Sequence, residues 1–494
     1  MLPIAIMAVL AGMAVVLCFI KNNNMVKFLT MLAHIVAFAF CLAMLMVTAD
    51  GTTIRVVLGA EPWNFHVLTE QLDAFMVTLF VGVSLLVMWA SFSMIDHDIT
   101  QVRIRLYYAL ICILIASLCG IVIFENFFSI FLMVEISSFS AVGIIIVKSK
   151  KENERAGLKY LTLSIFGSSF ILMGIIILFF LTGALSLPGV YEGLAVNYVG
   201  NEATVRSAFI FITIGAALKS ALFPLHIWLP DAHSTAPSPS SAVLSSLVIK
   251  SYMFLYIKVM YKAIGVDILQ NDPVLSLILY LVMITGGVAM LCGSFAAILQ
   301  TDIKRMIAYS SVAQVGYIFL GIGMGTQLGL FAAMFHILAH AVTKAVLFLV
   351  AGSIIEQTGN RDISKMRGLG RRMRITMGLF TVGALSMIGI PLFVGFNSKW
   401  YFATGIIDSQ QIWLLAILLI SSLLNGCYYL PIVIRAFFSK SEDKDAEETT
   451  EPQSLERPVK HLMPIIVLAG LVVAFAIFAG PINTYIHAGI SSIW

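Results

Sequence analysis

Apolar runs of about twenty residues follow one another from Met1 to the far end of the chain, and a helix of that length crosses the hydrocarbon core of a bilayer. About fourteen such segments can be drawn, near 2–20, 25–49, 72–95, 105–124, 127–147, 158–182, 205–223, 239–262, 275–298, 305–324, 328–356, 375–396, 411–438 and 461–487. Strand-like alternation is sustained nowhere, which argues against a β-barrel. Charged residues make up only 11% of the chain against 60% hydrophobic, whereas soluble domains carry about 25% charge. The expected fold is therefore an all-α membrane protein with a single polytopic domain. The first segment starts at Met1 without a basic leader or a small-residue cleavage site, so it reads as a retained helix.

Placed on these segments, the charges sort by side. The loops after every second segment, from Lys21 to Lys460, hold 22 of the 30 lysines and arginines. The opposite side holds only Arg55, Arg206, Lys258 and Lys262. By the positive-inside rule both termini face away from the cytoplasm. Lys219, Lys250, Lys344 and Lys399 remain, all within membrane segments. The six cysteines are scattered through apolar stretches without a CxxC or similar spacing, so no cofactor, cluster or metal is expected. The polar tract 439–458 reads as a disordered cytoplasmic linker ahead of the last segment.

Two segments look broken. Around the seventh, the chain runs Lys219-Ser-Ala-Leu-Phe-Pro224-Leu-His226-Ile-Trp228-Leu-Pro230-Asp231-Ala-His233, and proline inside a helix removes a donor and clashes with the preceding turn. Around the twelfth, Gly389-Ile-Pro391-Leu-Phe-Val-Gly395-Phe-Asn-Ser-Lys399 has the same ingredients. Irregular backbone at membrane depth survives only where protein buries it or it lines a wet cavity. Five segments separate the breaks, an odd number, so equivalent parts would point opposite ways, as in transporters built on inverted repeats.

An ionisable residue at bilayer depth costs at least about 2.5–3.5 kcal/mol, which makes each one a functional candidate. Glu135 sits mid-segment in Phe131-Leu-Met-Val-Glu135-Ile-Ser-Ser, with a static ion pair as its competing explanation. Lys250 is centred in 239–262, too deep to snorkel; a lysine there can load and release a proton or simply brace the nearby break. His336, His340 and Lys344 follow one another at four-residue spacing and share a helical face. Neutral imidazole both donates and accepts, so stacked histidines with a lysine can relay a proton. The histidine pair also has zinc-ligand spacing, but no further ligand completes a set. Lys399 either ends this row or lies near the surface. His34, alone in its segment, reads as a satisfied core residue, and Glu125, Glu356 and Asp73 as helix-end residues.

These motifs, in this order, resemble the antiporter-like subunits shared by Mrp-type cation/proton antiporters, respiratory complex I and membrane-bound hydrogenases. The resemblance spans about residues 65–440 and rests on the glutamate motif at Glu135, the Lys219-to-His233 run and Ala236-Pro-Ser-Pro-Ser-Ser-Ala242 leading to Lys250. It continues through Asp302-Ile-Lys-Arg-Met-Ile-Ala-Tyr-Ser-Ser-Val-Ala-Gln-Val-Gly316, His336-x3-His340-x3-Lys344 and Gly395-Phe-Asn-Ser-Lys399. The wording around Asp231-Ala-His looks most like Mrp D-type and hydrogenase-associated members. Val134 stands where a tryptophan often precedes the glutamate, and no long lateral helix follows the last segment.

What the resemblance implies is a fourteen-helix chain with helices 7 and 12 broken, at Pro224, Pro230 and Pro391. Residues 1–104 would hold three N-terminal helices, 105–262 and 275–438 two inverted five-helix repeats, 439–460 the linker and 461–487 the last helix. Glu135 and Lys219 would form a switchable ion pair, Lys250 a central proton carrier, His336, His340 and Lys344 the link, and Lys399 the terminal site. The expected partners are other membrane subunits of a prokaryotic cytoplasmic membrane complex, either a redox-driven pump with further antiporter-like subunits and a hydrophilic redox module or an Mrp-type cation/proton antiporter, with protons or sodium as cargo. Nothing points to nucleic acid, and the chain holds no catalytic redox centre of its own. The competing classes are a stand-alone transporter of an organic solute, needing a pocket at the breaks, and a membrane enzyme, needing a cofactor motif.

Overall fold

The computed structural model describes residues 1–58, 65–439 and 454–494. Twelve of its helices are long and apolar enough to cross a membrane. The first six are α1 (Leu2–Phe19), α2 (Asn23–Thr48), α3 (Gln71–Asp98), α4 (Ile104–Ile123), α5 (Phe127–Ile146) and α6 (Lys151–Thr182). The two pieces of the first interrupted segment follow, α7 (Glu202–Lys219) and α8 (Leu229–Thr235). Next come α9 (Ser238–Ile264), which contains two π-helical stretches, α10 (Pro273–Ile298), α11 (Ile303–Gly323) and α12 (Gln327–Thr358). The second interrupted segment is α13 (Arg374–Ile388) and α14 (Val394–Asp408), followed by α15 (Trp413–Phe438), α16 (Val459–Ile477) and α17 (Ala479–Ser491). The fourteen expected segments are thus accounted for by twelve continuous helices and two interrupted ones.

An even number of segments crossing in turn returns the chain to the face it started from, so both termini lie opposite the basic loops, with the Trp494 ring 5.2 Å from that of Tyr261 near the end of α9. Side chains set several of the helix starts. Asp272 accepts from Val274 N and Leu275 N at the head of α10, and Asp302 accepts from Arg305 N at the head of α11. Small residues set the closest helix pairs. A Cβ on Gly286 would stand 2.6 Å from Leu320 N, and one on Gly215 would stand 2.6 Å from Gly167 O. These contacts let α10 pack on α11 and α7 on α6 backbone to backbone. The result is a bundle whose apolar core envelops α9 and α12, both buried along their length, while α1, α2, α6 and α15 turn large apolar side chains outward.

One departure from all-helix lies on the terminus-bearing face. The connection between α2 and α3 contains a hairpin of β1 (Ile54–Leu58) and β2 (Phe65–Thr69), antiparallel with Ile54 opposite Thr69. Val67 bridges to Phe124, which ties the hairpin to the α4–α5 connection. Most of the expected linker, residues 440–453, lies outside the described residues. Its far end is docked: Glu456 accepts from Ile375 N at 2.7 Å at the start of α13, and Arg457 pairs with Glu356 at 2.9 Å. A carboxylate at a helix N-terminus meets unpaired N–H groups there, which explains why this polar stretch is held.

Candidate functional site

Both helix breaks are present, and each contains a non-glycine residue in the left-handed region, Ala221 (φ 56°) and Leu392 (φ 78°). Such backbone is strained and persists only where the surroundings impose it. Pro224 and Pro391 lie in the breaks themselves. Pro230 does not; it stands in the first turn of α8, where a missing N–H costs nothing.

Lys219 ends α7 at the first break. Its buried Nζ donates to Ser138 Oγ at 2.6 Å and Ser164 Oγ at 2.7 Å and sits 5.3 Å from the Tyr252 ring centroid. Glu135, one turn before Ser138 on α5, is near enough to act on Lys219 electrostatically, but the two make no direct ion pair among the described residues. Its Oε1 is buried without a hydrogen-bond partner in the chain. On α9, Lys250 Nζ donates to Ser245 O, and Ser245 Oγ meets Ser311 Oγ of α11 at 3.0 Å. Beside it, Lys344 of α12 donates to Ile307 O at 2.8 Å and to Ser310 Oγ. A short hydroxyl bridge therefore joins the surroundings of two buried amines on different helices.

From Lys344 the row continues along α12. The His336 and His340 rings are parallel within 5°, with centroids 6.0 Å apart. Neither nitrogen of His340 has a partner in the chain, and His336 Nδ1 contacts Ser398 Oγ at 2.5 Å. The next residue, Lys399 on α14, reaches back across the second break and donates to Met387 O at 3.0 Å, Ile388 O at 2.8 Å and Ser422 Oγ at 3.0 Å. It is 8% exposed and lies 5.3 Å from the Tyr317 ring, which stacks on the His336 imidazole. Lys399 is buried, and does not lie at the surface.

All seven candidate relay residues fall within residues 124–425, the stretch that matches the family described as NADH:quinone oxidoreductase/Mrp antiporter, transmembrane. The chain belongs to this family. It is 33% identical to an NADH-quinone oxidoreductase subunit N from Desulforudis audaxviator over 458 residues, covering 90% of this chain and 89% of that one. The fold is shared with a chain of an archaeal respiratory membrane complex, the membrane-bound sulfane sulfur reductase (TM-score 0.88, 24% identity, 99% and 98% of the two chains). It is also shared with a chain of the Mrp complex from Dietzia sp. DQ12-45-1b (TM-score 0.89, 19% identity, 100% and 97%). The protein is thus an antiporter-like membrane subunit of the kind found in complex I, Mrp and hydrogenase-type assemblies.

Several residues around these candidates escaped sequence reasoning. His233 of α8 is fully buried, both its nitrogens lack partners, and its ring lies 5.4 Å from that of Phe348. It belongs to a quoted motif, yet nothing in the motif says that its side chain turns inward. Lys304 was counted with the basic loops but is buried, its Nζ donating to Ala236 O at 2.6 Å. Beside it on the basic face, a cavity of about 210 Å³ is lined by His97, Asp98, Lys148, Ser238, Lys304 and Glu356, among others. Lys148 pairs with Asp98 there at 2.5 Å; burial pulls its ammonium below the usual lysine range, and Asp98 opposes that.

Proposed function

We propose that the chain conducts protons along the row Glu135, Lys219, Lys250, Lys344, His340, His336 and Lys399, as the ion-translocating subunit of a larger membrane complex. The observation that carries this reading is the placement of buried polar groups of several helices side by side: Lys250 donates to Ser245 O, the Ser245 and Ser311 hydroxyls meet, Ser311 Oγ and Lys344 Nζ both donate to Ile307 O, and the parallel rings of His340 and His336 lead on to Ser398, next to Lys399. Buried amines set among hydroxyls and carbonyls, without carboxylate partners, are poor structural glue, because an ion pair at that depth needs excellent geometry to offset desolvation. The same groups suit a proton that is handed on, since hydroxyl and neutral imidazole both donate and accept.

The basic face is cytoplasmic in this reading, which leaves both termini outside. The 210 Å³ cavity beside Lys304 and Ser238 is the cytoplasmic mouth, opening toward the head of α9, which carries Lys250. The segments 105–262 and 275–438 act as two inverted repeats, with α5 and α11 in corresponding places. Glu135 is half-buried on a helix whose Phe128, Ile136 and Phe139 face outward, so a neighbouring membrane subunit covers it and switches its pairing with Lys219. Further antiporter-like subunits, a redox module or a sodium gradient would supply the drive. A solute transporter is not favoured: the roomy apolar groove of about 720 Å³ lies among α2, α3, α12 and α16, not at the breaks.

The test is Lys250→Ala in the assembled complex, reconstituted in vesicles. Proton-coupled transport should vanish while the subunits still copurify; transport at the unmodified rate would end this reading.

A further inference from the structure

Lys258 and Lys262 read as ordinary charges at the rim of α9, but the structure buries Lys258 and part-buries Lys262 in a second ionisable cluster on the terminus-bearing face. Lys258 is 1% exposed, and its Nζ donates to Val122 O and, at 2.8 Å, to Phe124 O. Lys262 pairs with Glu70 at 2.9 Å and Asp73 at 3.3 Å, both at the head of α3. Asp73 is fully buried; its Oδ2 accepts from Glu70 N at 3.0 Å, whereas its Oδ1 has no hydrogen-bond partner in the chain. Glu125, in the connection between α4 and α5, interacts electrostatically with Lys258, Lys262, Asp73 and Glu70. Burial strengthens the hold of its carboxyl on a proton, and the two ammoniums oppose that.

The other titratable neighbours are tyrosines. The Tyr261 hydroxyl of α9 is buried without a partner, and Tyr485 of α17 lies within electrostatic reach of Asp73. From the hairpin, His66 contributes its carbonyl, which accepts from Glu125 N at 3.1 Å. Fully charged, the cluster sets three carboxylates against two ammoniums. The excess is one negative charge, which a single added proton neutralises. An ion-pair clamp closing α3 on α9 would not need a third carboxylate, nor leave a buried carboxylate oxygen unbonded.

We propose that Asp73, Glu125, Lys258 and Lys262 form a proton-exchange site through which the row communicates with the solution on the terminus-bearing face. This rests on the reading of the row as a proton path, because the site is fed by Lys250, eight residues and about 12 Å earlier along α9. In the transfer, an N–H bond of the Lys258 ammonium breaks and an O–H bond forms on the Asp73 or Glu125 carboxylate. The neutral amine is reloaded by a proton from the Lys250 side, and the carboxyl releases its proton to the solution.

The experiment uses the assembled complex in vesicles, with the pH on the terminus-bearing face varied while the other side is held constant. Asp73→Asn and Glu125→Gln should both slow proton transport and lose its dependence on the pH of that face, and Asp73→Glu should restore both. Asp73 also caps α3, so Glu125→Gln, at a residue between helices, carries the test if Asp73→Asn fails to assemble. A wild-type rate and pH profile in Glu125→Gln, beside an inactive Lys250→Ala, would overturn the exchange site and leave the row intact. An active Lys250→Ala would overturn the row, and the site with it.

Discussion

Lys219 and Lys399 stand beside the two helix breaks, each 5.3 Å from a tyrosine ring, yet different chemistry holds them. Lys219 donates to two serine hydroxyls and has Glu135 nearby. Lys399 donates to two carbonyls at the C-terminal end of α13 and to one hydroxyl. A hydroxyl can serve amine or ammonium equally, whereas carbonyls only accept and the end of a helix carries partial negative charge. In the proposed path the first lysine relies on a carboxylate to govern its charge, and a broken helix takes that role for the second.

The supporting helices repeat the contrast. Met133-Val-Glu-Ile-Ser-Ser-Phe-Ser-Ala-Val-Gly143 on α5 aligns without a gap with Met306-Ile-Ala-Tyr-Ser-Ser-Val-Ala-Gln-Val-Gly316 on α11, the partner helix in the proposed repeats. Ser137 meets Tyr252 at 2.8 Å, and Ser310 meets Tyr429 at 2.8 Å. Where the first half has Glu135, the second has Ala308. The same serine–tyrosine frame thus carries a carboxylate in one half and none in the other.

The largest effects should fall on the first half. Lys219→Ala should stop proton transport by the assembled complex, and Glu135→Gln should slow it about tenfold, equivalent to about 1.4 kcal/mol. The double variant should be no worse than Lys219→Ala, since the glutamate acts through the lysine; an additional loss would separate their roles. Next in size is Ala308→Glu, which places a carboxylate near Lys344. It should slow transport by pinning that amine in an ion pair, and wild-type transport would show that the two halves are interchangeable. The smallest effects should be on stability. Ser137→Ala and Ser310→Ala each remove a hydrogen bond to a buried tyrosine hydroxyl, worth about 1–3 kcal/mol in thermal unfolding. Ser310→Ala should be the more damaging because Lys344 loses a partner too; equal losses would erase that difference between the halves.

Much of this was legible in the sequence because bilayer thickness dictates segment length and because buried charge is rare enough to stand out. His34, read as a satisfied core residue, meets Thr30 O at 2.8 Å and Ser84 Oγ at 3.1 Å. Asp73, read as a helix-end residue, does cap α3, but its complete burial was hidden because its partner Lys262 is 189 positions away. The second half of the broken twelfth segment was cut short at 396, since Asn397, Ser398, Lys399 and Thr404 make α14 too polar for a hydropathy reading. Lys258, Lys262 and Lys304 were counted as loop charges for a related reason: their positions near helix ends predict solvent, and only packing places carbonyls and carboxylates around them. The serine bridge between Lys250 and Lys344 is equally invisible in one dimension, because serines are common in membrane helices and only the crossing of α9 and α11 makes two of them meet.

His340 offers the most direct test of the claim that the two halves form one proton path. Neither of its ring nitrogens bonds to the chain, so His340→Leu leaves no partner stranded and should preserve folding and assembly. Proton transport by the reconstituted complex carrying this variant should be lost, although the complex still assembles. Transport at the wild-type rate would contradict a continuous row from Lys219 to Lys399.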